Sequence, residues 1–277
     1  MGADRTGGSL RFVERRGGGL FWRVAAELEP ALASLGWPAA DAVRRALGSA
    51  ASSGRTETAV LPLADRKERI HLRPVRHGGL LGPLWCGTVL GPGRPAEELH
   101  VTARLLEAGA PVPRPALVVA HRRAGPLWSA VLGTVHVEEA RDGIAWLESG
   151  PDRERLLRGA RAVGVAVRRF HDAGGSHADL HAKNLLLRED AGDLEVLLID
   201  LDRAQIGPPP PPARRLRELM RLVRGLHKRG VAARVGPRGI AVAFAAYCEG
   251  DRTLRRALLA HLPAERRRLA RHRALYR

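Results

Sequence analysis

Apolar and polar positions alternate through much of the first half of the chain and recur every three to four residues through the second. The pattern predicts a β-rich part followed by a helical one. After Gly17, Gly18 and Gly19 the run Leu20 to Leu28 reads as a strand, and Ala39, Val43 and Ala46 mark a helical stretch. The small-residue loop Gly48 to Thr58 feeds TAVLPLA; past the charged turn DRKE, the alternating RIHLRPVR forms the second arm of a hairpin. LLGPLWCGTVLGPG reads as loop. PAEELHVTARLLEAG has a leading proline, an acidic first turn, Leu99, Ala103 and Leu106 at helical spacing, and Gly109 as terminator, so it predicts a helix. ALVVAHRR and PLWSAVLGTV then read as two strands joined by an Arg-Ala-Gly turn.

In the second half a helix opens at Pro151-Asp152, carries a core-facing stripe of Leu156, Ala160, Val163, Val167 and Phe170, and stops at Gly174-Gly175. HADLHAKNLLL and LEVLLID follow as a loop, a short strand, a polar turn at Asp190 to Asp193 and a buried strand ending on Asp200. Past the prolines Pro208 to Pro212 three more helices are predicted: Ala213 to Lys228, Pro237 to Glu249, and Thr253 to Tyr276 with a break at Pro263.

Composition narrows the class. The 277 residues are 45% hydrophobic, too apolar for a disordered basic tail, and a chain of this length buries about 70% of its unfolded surface. Cys86 and Cys248 stand 162 positions apart, which disfavours a disulfide scaffold or a zinc ribbon and points to a reducing compartment. The opening MGADRTGGSL lacks the apolar core of a signal peptide, and no later run approaches about 18 apolar residues. The expectation is a cytoplasmic protein, soluble or peripheral to a membrane. The net charge of +17 is distributed unevenly: residues 1–150 contribute +4, whereas +15 falls between Arg203 and the end. Such a surface attracts polyanions, but its aromatics are only Phe244, Tyr247 and Tyr276, and it carries no nucleic-acid-binding motif, so nucleic acid is disfavoured.

Chemistry concentrates in HADLHAKN, His177 to Asn184, and in the strand running to Asp200. Phosphoryl transfer needs a carboxylate to orient the attacking hydroxyl and oxygen ligands for Mg2+ on the phosphates. Asp179, Asn184 and Asp200 supply that set in the H-x-D-x-x-x-x-N spacing of kinase catalytic loops, with His181 where protein kinases usually carry lysine. The expected architecture is α+β and bilobal, protein-kinase-like, with a small β-rich N-lobe over residues 1–135 and a mainly helical C-lobe over 136–277. Glu98 on the predicted helix is the natural partner of a cation on the preceding strand. That cation is Arg73 or, on the same strand parity, Lys67; Glu97 replaces Glu98 if the helix is rotated by one position. Gly54 would let the backbone approach the phosphates. His177 reads as a structural loop histidine, and the absence of the usual strand lysine leaves a pseudokinase open.

HADLHAKNLLL, LIDLDRAQI, RRLRELMRLVRGLHK, HLRPVRHGGLLG and LLEAGAPVPRP resemble the bacterial lipopolysaccharide kinases of the Kdo/heptose kinase family, over roughly Gly54 to Arg229. Within that family the chain looks closer to the Kdo kinases, in which an arginine stands in the segment matched by Arg73 to Gly79. The resemblance implies an ATP- and Mg2+-dependent transfer to a hydroxyl of Kdo on lipid A, at an anionic membrane surface on the cytoplasmic face of the inner membrane. It implies Asp179 as base, Asn184 and Asp200 on the metal, Arg73 with Glu98 on the phosphates, and backbone groups near Thr134 on adenine. The alternatives are a kinase of another small molecule or of a protein, or a pseudokinase that binds membranes or polyanions.

Overall fold

The computed structural model describes residues 10–48, 58–64, 66–75, 88–190 and 192–275. The chain divides into two compact units: Met1–Glu107 with Pro113–His136, and Ala108–Val112 with Val137–Arg277.

The first unit is an antiparallel sheet with helices on both faces. Strands β1 (Phe12–Gly17) and β2 (Leu20–Ala25) form a hairpin whose connection places Gly18 and Gly19 at φ 55° and 79°, the positive-φ pair of a tight turn that matches strand twist. The chain leaves the sheet at Ala25, earlier than the sequence pattern predicts, because the following residues turn into helix α1 (Glu29–Ser34), with Pro30 in its first turn. Helix α2 (Ala40–Gly48), strands β3 (Ala59–Pro62), β4 (Arg69–Val75) and β5 (Val89–Leu90), helix α3 (Gly93–Glu107), and strands β6 (Pro115–Ala124) and β7 (Leu127–Val135) complete the unit. Strand order is β1-β2-β6-β7-β4-β3, with β5 paired to β7. Successive side chains point to opposite faces. Trp22, Val24, Ile70, Leu72, Leu117 and Val119 therefore pack with Leu32 of α1 and Val43 of α2, while Phe21, Val75, Val118 and Ala120 pack with Leu99 of α3.

The second unit contains helices α4 (Gly143–Glu148), α5 (Arg153–Asp172), α6 (Pro212–Lys228), α7 (Ala232–Tyr247) and α8 (Arg252–Leu275). Strands β8 (Arg141–Asp142), β10 (Leu185–Asp190) and β11 (Asp193–Leu198) form one small sheet, and β9 (Gly175–Ser176) with β12 (Gln205–Ile206) another. Asp152 caps α5 by accepting from Arg155 N, and Asp142 caps α4 by accepting from Ile144 N and Ala145 N. Gly164 lets α5 approach α7 closely: a Cβ there would lie 2.2 Å from the Ala243 carbonyl oxygen. The short segment Ala108–Val112 is tied to this unit, since Leu198 N donates to Pro111 O at 2.8 Å and Arg169 to Gly109 O at 3.1 Å. An apolar recess of about 860 Å³ opens among these helices, lined by residues that include Trp146, Leu156, Val163, Leu219, Val223 and Phe244.

One expected helix boundary needs correction. The third helix of the tail does not break at Pro263 but runs through it, held by the buried Leu258 before the proline and the buried Glu265 after it. In α7 the backbone kinks at Gly236, φ 63°, so regular helix resumes at the predicted Pro237.

Candidate active site

The loop between β9 and β10 is folded by its own backbone and by one buried histidine. His177 is almost completely buried, its Nε2 lies 3.1 Å from the Ile199 carbonyl oxygen, and its Nδ1 accepts from Asp179 N at 3.2 Å. An accepting Nδ1 requires the proton on Nε2, which then donates to the carbonyl. Burial lowers the His177 pKa against the opposing pull of the Ile199 carbonyl and the nearby Asp200, Glu218 and Asp179, so the ring is held neutral. That agrees with a structural loop histidine. Leu180, fully buried, anchors the next turn, and a one-turn 3-10 helix at Ala182–Asn184 leads into β10.

This anchoring joins two of the three expected residues, Asp179 and Asn184, by a direct hydrogen bond and ties them to Ile199, the chain neighbour of the third, Asp200. The buried Asn184 donates from Nδ2 to the Asp179 carbonyl oxygen at 2.9 Å, and its own carbonyl accepts from Ile199 N at 2.9 Å. The strand β11 ends at Leu198, two residues before the expected Asp200, because Asp200 adopts φ 58° and cannot continue an extended strand. Left-handed backbone at a non-glycine residue is strained, and here it turns an exposed carboxylate away from the strand line, beside the loop. Asp179 itself is 70% exposed at its side chain, with His181 Nε2 3.5 Å from its Oδ2. A solvent-facing carboxylate on a fixed loop can accept a proton from a bound hydroxyl. With a nitrogen donating within the loop, Asn184 has Oδ1 as a possible ligand atom; with the Asp200 carboxylate it would make a hard, all-oxygen set. That chemistry suits Mg2+, which takes few protein ligands and fills the rest with water and phosphate oxygens.

Beneath the loop lies a set of polar groups that the sequence reading did not find. Glu218 of α6 is 3% exposed; its Oε2 accepts from His177 N at 2.8 Å and lies 3.2 Å from His171 Nε2. His171 of α5, fully buried, has its Nδ1 2.7 Å from the Tyr247 hydroxyl of α7. Arg215 donates to Asp172 at 2.7 Å and to the Pro210 carbonyl at 2.8 Å. One carboxylate thus fixes the first amide of the loop and is in turn fixed by two helices. Helical periodicity runs the predicted helix to Gly174-Gly175 and assigns no partner to His171 or Asp172 within it. The sole hint was charge inside an otherwise regular apolar pattern.

In the first unit, Arg73 of β4 donates from Nη2 to Glu98 Oε1 of α3 at 2.6 Å. The alternatives left by the sequence are resolved by register: Glu98 is buried and Glu97 exposed, while Lys67 lies outside β4, which begins at Arg69. Thr134 pairs with His71 of β4 and Pro115 of β6, and just past it Val135 N donates to Arg114 O and His136 N to Arg69 O, each at 2.8 Å. Gly54 lies outside the described residues.

A family model described as the lipopolysaccharide kinase (Kdo/WaaP) family matches residues 45–241. The chain belongs to that family. Its relatives include the 3-deoxy-D-manno-octulosonic acid kinase of Vibrio cholerae serotype O1, 31% identical over 166 residues, which are 58% of this chain and 66% of that protein. The protein of the same description from Haemophilus influenzae strain 86-028NP is 33% identical over 165 residues, 57% of this chain and 66% of its own length. The match therefore spans just under two thirds of these curated relatives. A solved structure of WaaP in complex with acyl carrier protein superposes with a TM-score of 0.50 at 22% identity, covering 78% of this chain and 83% of that one. This likeness supports the α+β, kinase-like fold of a β-rich unit followed by a helical one. The family match covers the Arg73–Glu98 pair, the knot around Asp179 and the anchoring Glu218, and ends within α7.

Proposed function

We propose that the protein is an ATP-dependent kinase that transfers a phosphoryl group to a hydroxyl of a lipid A-linked Kdo residue of the lipopolysaccharide inner core. The observation that carries the proposal is the hydrogen-bonded link from Asp179 through Asn184 to Ile199, next to Asp200, in a chain of this family. In this reading Asp179 orients the acceptor hydroxyl and takes its proton, and the neutral His177 holds the Asp179 amide so that the carboxylate stays presented. Asn184 and Asp200 would hold Mg2+, which, when bound, offsets charge on the phosphates. Arg73, fixed by Glu98, positions phosphate oxygens through its fork of N–H donors. The backbone near Thr134 would line the nucleotide, the first unit thus serving the nucleotide and the second the chemistry.

Among the described residues no helix is long and apolar enough to cross a membrane. The tail arginines support peripheral attachment to the anionic cytoplasmic face of the inner membrane. Acyl carrier protein, held by WaaP in the solved complex, is a second partner to test by co-purification, and the apolar recess of the helical unit is chemically suited to an acyl chain.

The deciding experiment follows labelled phosphate from ATP into Kdo-lipid A with purified protein, with and without Mg2+. Transfer that needs the metal and disappears in Asp179→Ala is expected. Failure of the wild-type protein to label this acceptor, while it labels another sugar or a protein, would overturn the acceptor; failure to bind nucleotide in a Mg2+-dependent way would overturn the kinase reading.

A further inference from the structure

Helix α6 places Arg214, Arg217, Arg221, Arg224 and Lys228 three and four residues apart, a single cationic stripe. Its members are not equivalent. Arg214, Arg217 and Lys228 are exposed, whereas Arg221 and Arg224 are half-buried. Arg221 donates from Nη1 to the His177 carbonyl oxygen at 3.2 Å, so its guanidinium is fixed two residues, at most about 7 Å of backbone, from Asp179. One turn further on, Gly225 lies against His181: a Cβ on Gly225 would stand 3.2 Å from His181 Cβ. The stripe therefore borders the catalytic loop. From α8, Arg268 joins it: Arg224 Nη1 and Arg268 Nη1 lie 3.8 Å and 3.5 Å from the same oxygen of the buried Glu265.

Two guanidiniums share one carboxylate, and Arg221 stands near enough to repel Arg224, which leaves a surplus of positive charge in a partly buried place. Burial and then Arg221, with Arg268 adding to them against the pull of Glu265, lower the Arg224 pKa, a sign of like charges kept together. Arginine stays protonated even so. A solvated surface stripe would spread its cations; this one turns two members inward, Arg221 onto the loop that carries Asp179 and Arg224 toward Arg221 and Glu265. Guanidiniums so placed match a planar carboxylate. The acceptor named for the relatives is an octulosonic acid, a sugar that carries its carboxylate on the same ring system as its hydroxyls.

The geometry points to Arg221 and Arg224, supported by Arg268, as the site that binds the carboxylate of the acceptor sugar and selects acidic over neutral sugars. This rests on the kinase reading above and extends it to the recognition of the acceptor. The test uses the full chain and the variant Arg224→Gln. In transfer assays the variant should raise the acceptor KM about tenfold or more, leave the ATP KM unchanged, and lose the preference of the wild-type protein for the free acid over its C1 methyl ester. Independently of transfer, titration calorimetry with free 3-deoxy-D-manno-octulosonic acid should show the same loss of affinity, with the ester unaffected. Should Arg224→Gln fail to fold, Arg268→Gln, exposed on α8, carries the same comparison with a smaller effect; Arg267→Gln should change neither reading.

If the wild-type protein transfers phosphate but Arg224→Gln keeps its preference for the acid, the site is overturned and the kinase reading stands. If it transfers nothing yet binds the acid through Arg224, the site stands and the reading falls. If neither protein distinguishes acid from ester, or if the variant loses affinity for inorganic phosphate alone, the carboxylate assignment is overturned.

Discussion

Arg73 in the first unit and Asp179 in the second are both placed by contacts far along the chain, but the placing is done differently. Arg73 is held through an ion pair, from a strand that sits in a sheet packed on both faces to a glutamate that is itself buried. Asp179 makes little contact of its own; the loop that carries it is fixed by His177, Asn184, Ile199 and, below them, Glu218. In the first unit the functional charge is also the structural contact. In the second the two jobs are separated, so the carboxylate proposed to react stands in solvent while buried neighbours bear the cost of order.

The separation predicts which substitutions spare the fold. Asp179→Ala should lower phosphate transfer about a thousandfold or more while leaving the thermal unfolding midpoint unchanged, because its carboxylate is exposed. A loss of folding would mean that Asp179 also holds the loop and would erase the contrast with Arg73.

Glu218→Ala should do the reverse in kind. It strips acceptors from the His177 amide and from His171 inside the unit, at about 2–4 kcal/mol of stability. Chemical denaturation reads the loss. Because the loop is then released, kcat should fall as well, with the ATP KM nearly unchanged. Unaltered stability would show that the loop is fixed by its own backbone alone.

For the first unit the comparison is sharpened by Arg73→Ala and Glu98→Gln. Each should weaken nucleotide binding about tenfold, and Arg73→Ala should also destabilise the unit, since it leaves the buried Glu98 carboxylate without this cation. Arg73→Lys tests the fork geometry: a lysine keeps the charge but not the paired donors. Full activity of the lysine variant would show that charge alone is read at this position.

Much of this was legible in the chain. His177 to Asp200 is nearly contiguous, so its spacing displays its chemistry, and the strand–helix order around Arg73 and Glu98 follows from periodicity. What was hidden depends on distance or on brevity. Glu218 meets His177 across 41 residues and His171 meets Tyr247 across 76, pairings that no local pattern records. Helices α1 and α4, at six residues each, are too short for a period to show. Lys67 and Arg73 share strand parity, but parity carries meaning only inside a strand, and β4 starts between them. At Pro263 the local rule for a helix end gave way to tertiary contacts, as packing of buried residues on both sides of the ring kept the helix going.

The smallest effect separates the two units by their histidines. His71 in β4 and His177 in the loop are both shifted below the usual 6.5, chiefly by burial. Carboxylates around His177 oppose the shift, whereas His136, whose ring stacks on that of His71 at 6.4 Å, and Arg73 reinforce it. A histidine whose pKa falls on folding binds fewer protons in the folded chain than in the unfolded one across the interval between the two values. Stability is then independent of this group above pH 6.5 and declines as pH drops from 6.5 toward the folded pKa. His71→Gln should flatten part of that decline. Compared with the wild-type protein, the drop in unfolding midpoint between pH 7.5 and 5.5 should shrink by about a degree or two. Because His71 adjoins Arg73 rather than a carboxylate, the variant should leave the pH profile of transfer centred where it was. An unchanged stability slope would mean that His71 protonates as readily in the folded sheet as in the unfolded chain, and that the cations beside it are screened by solvent.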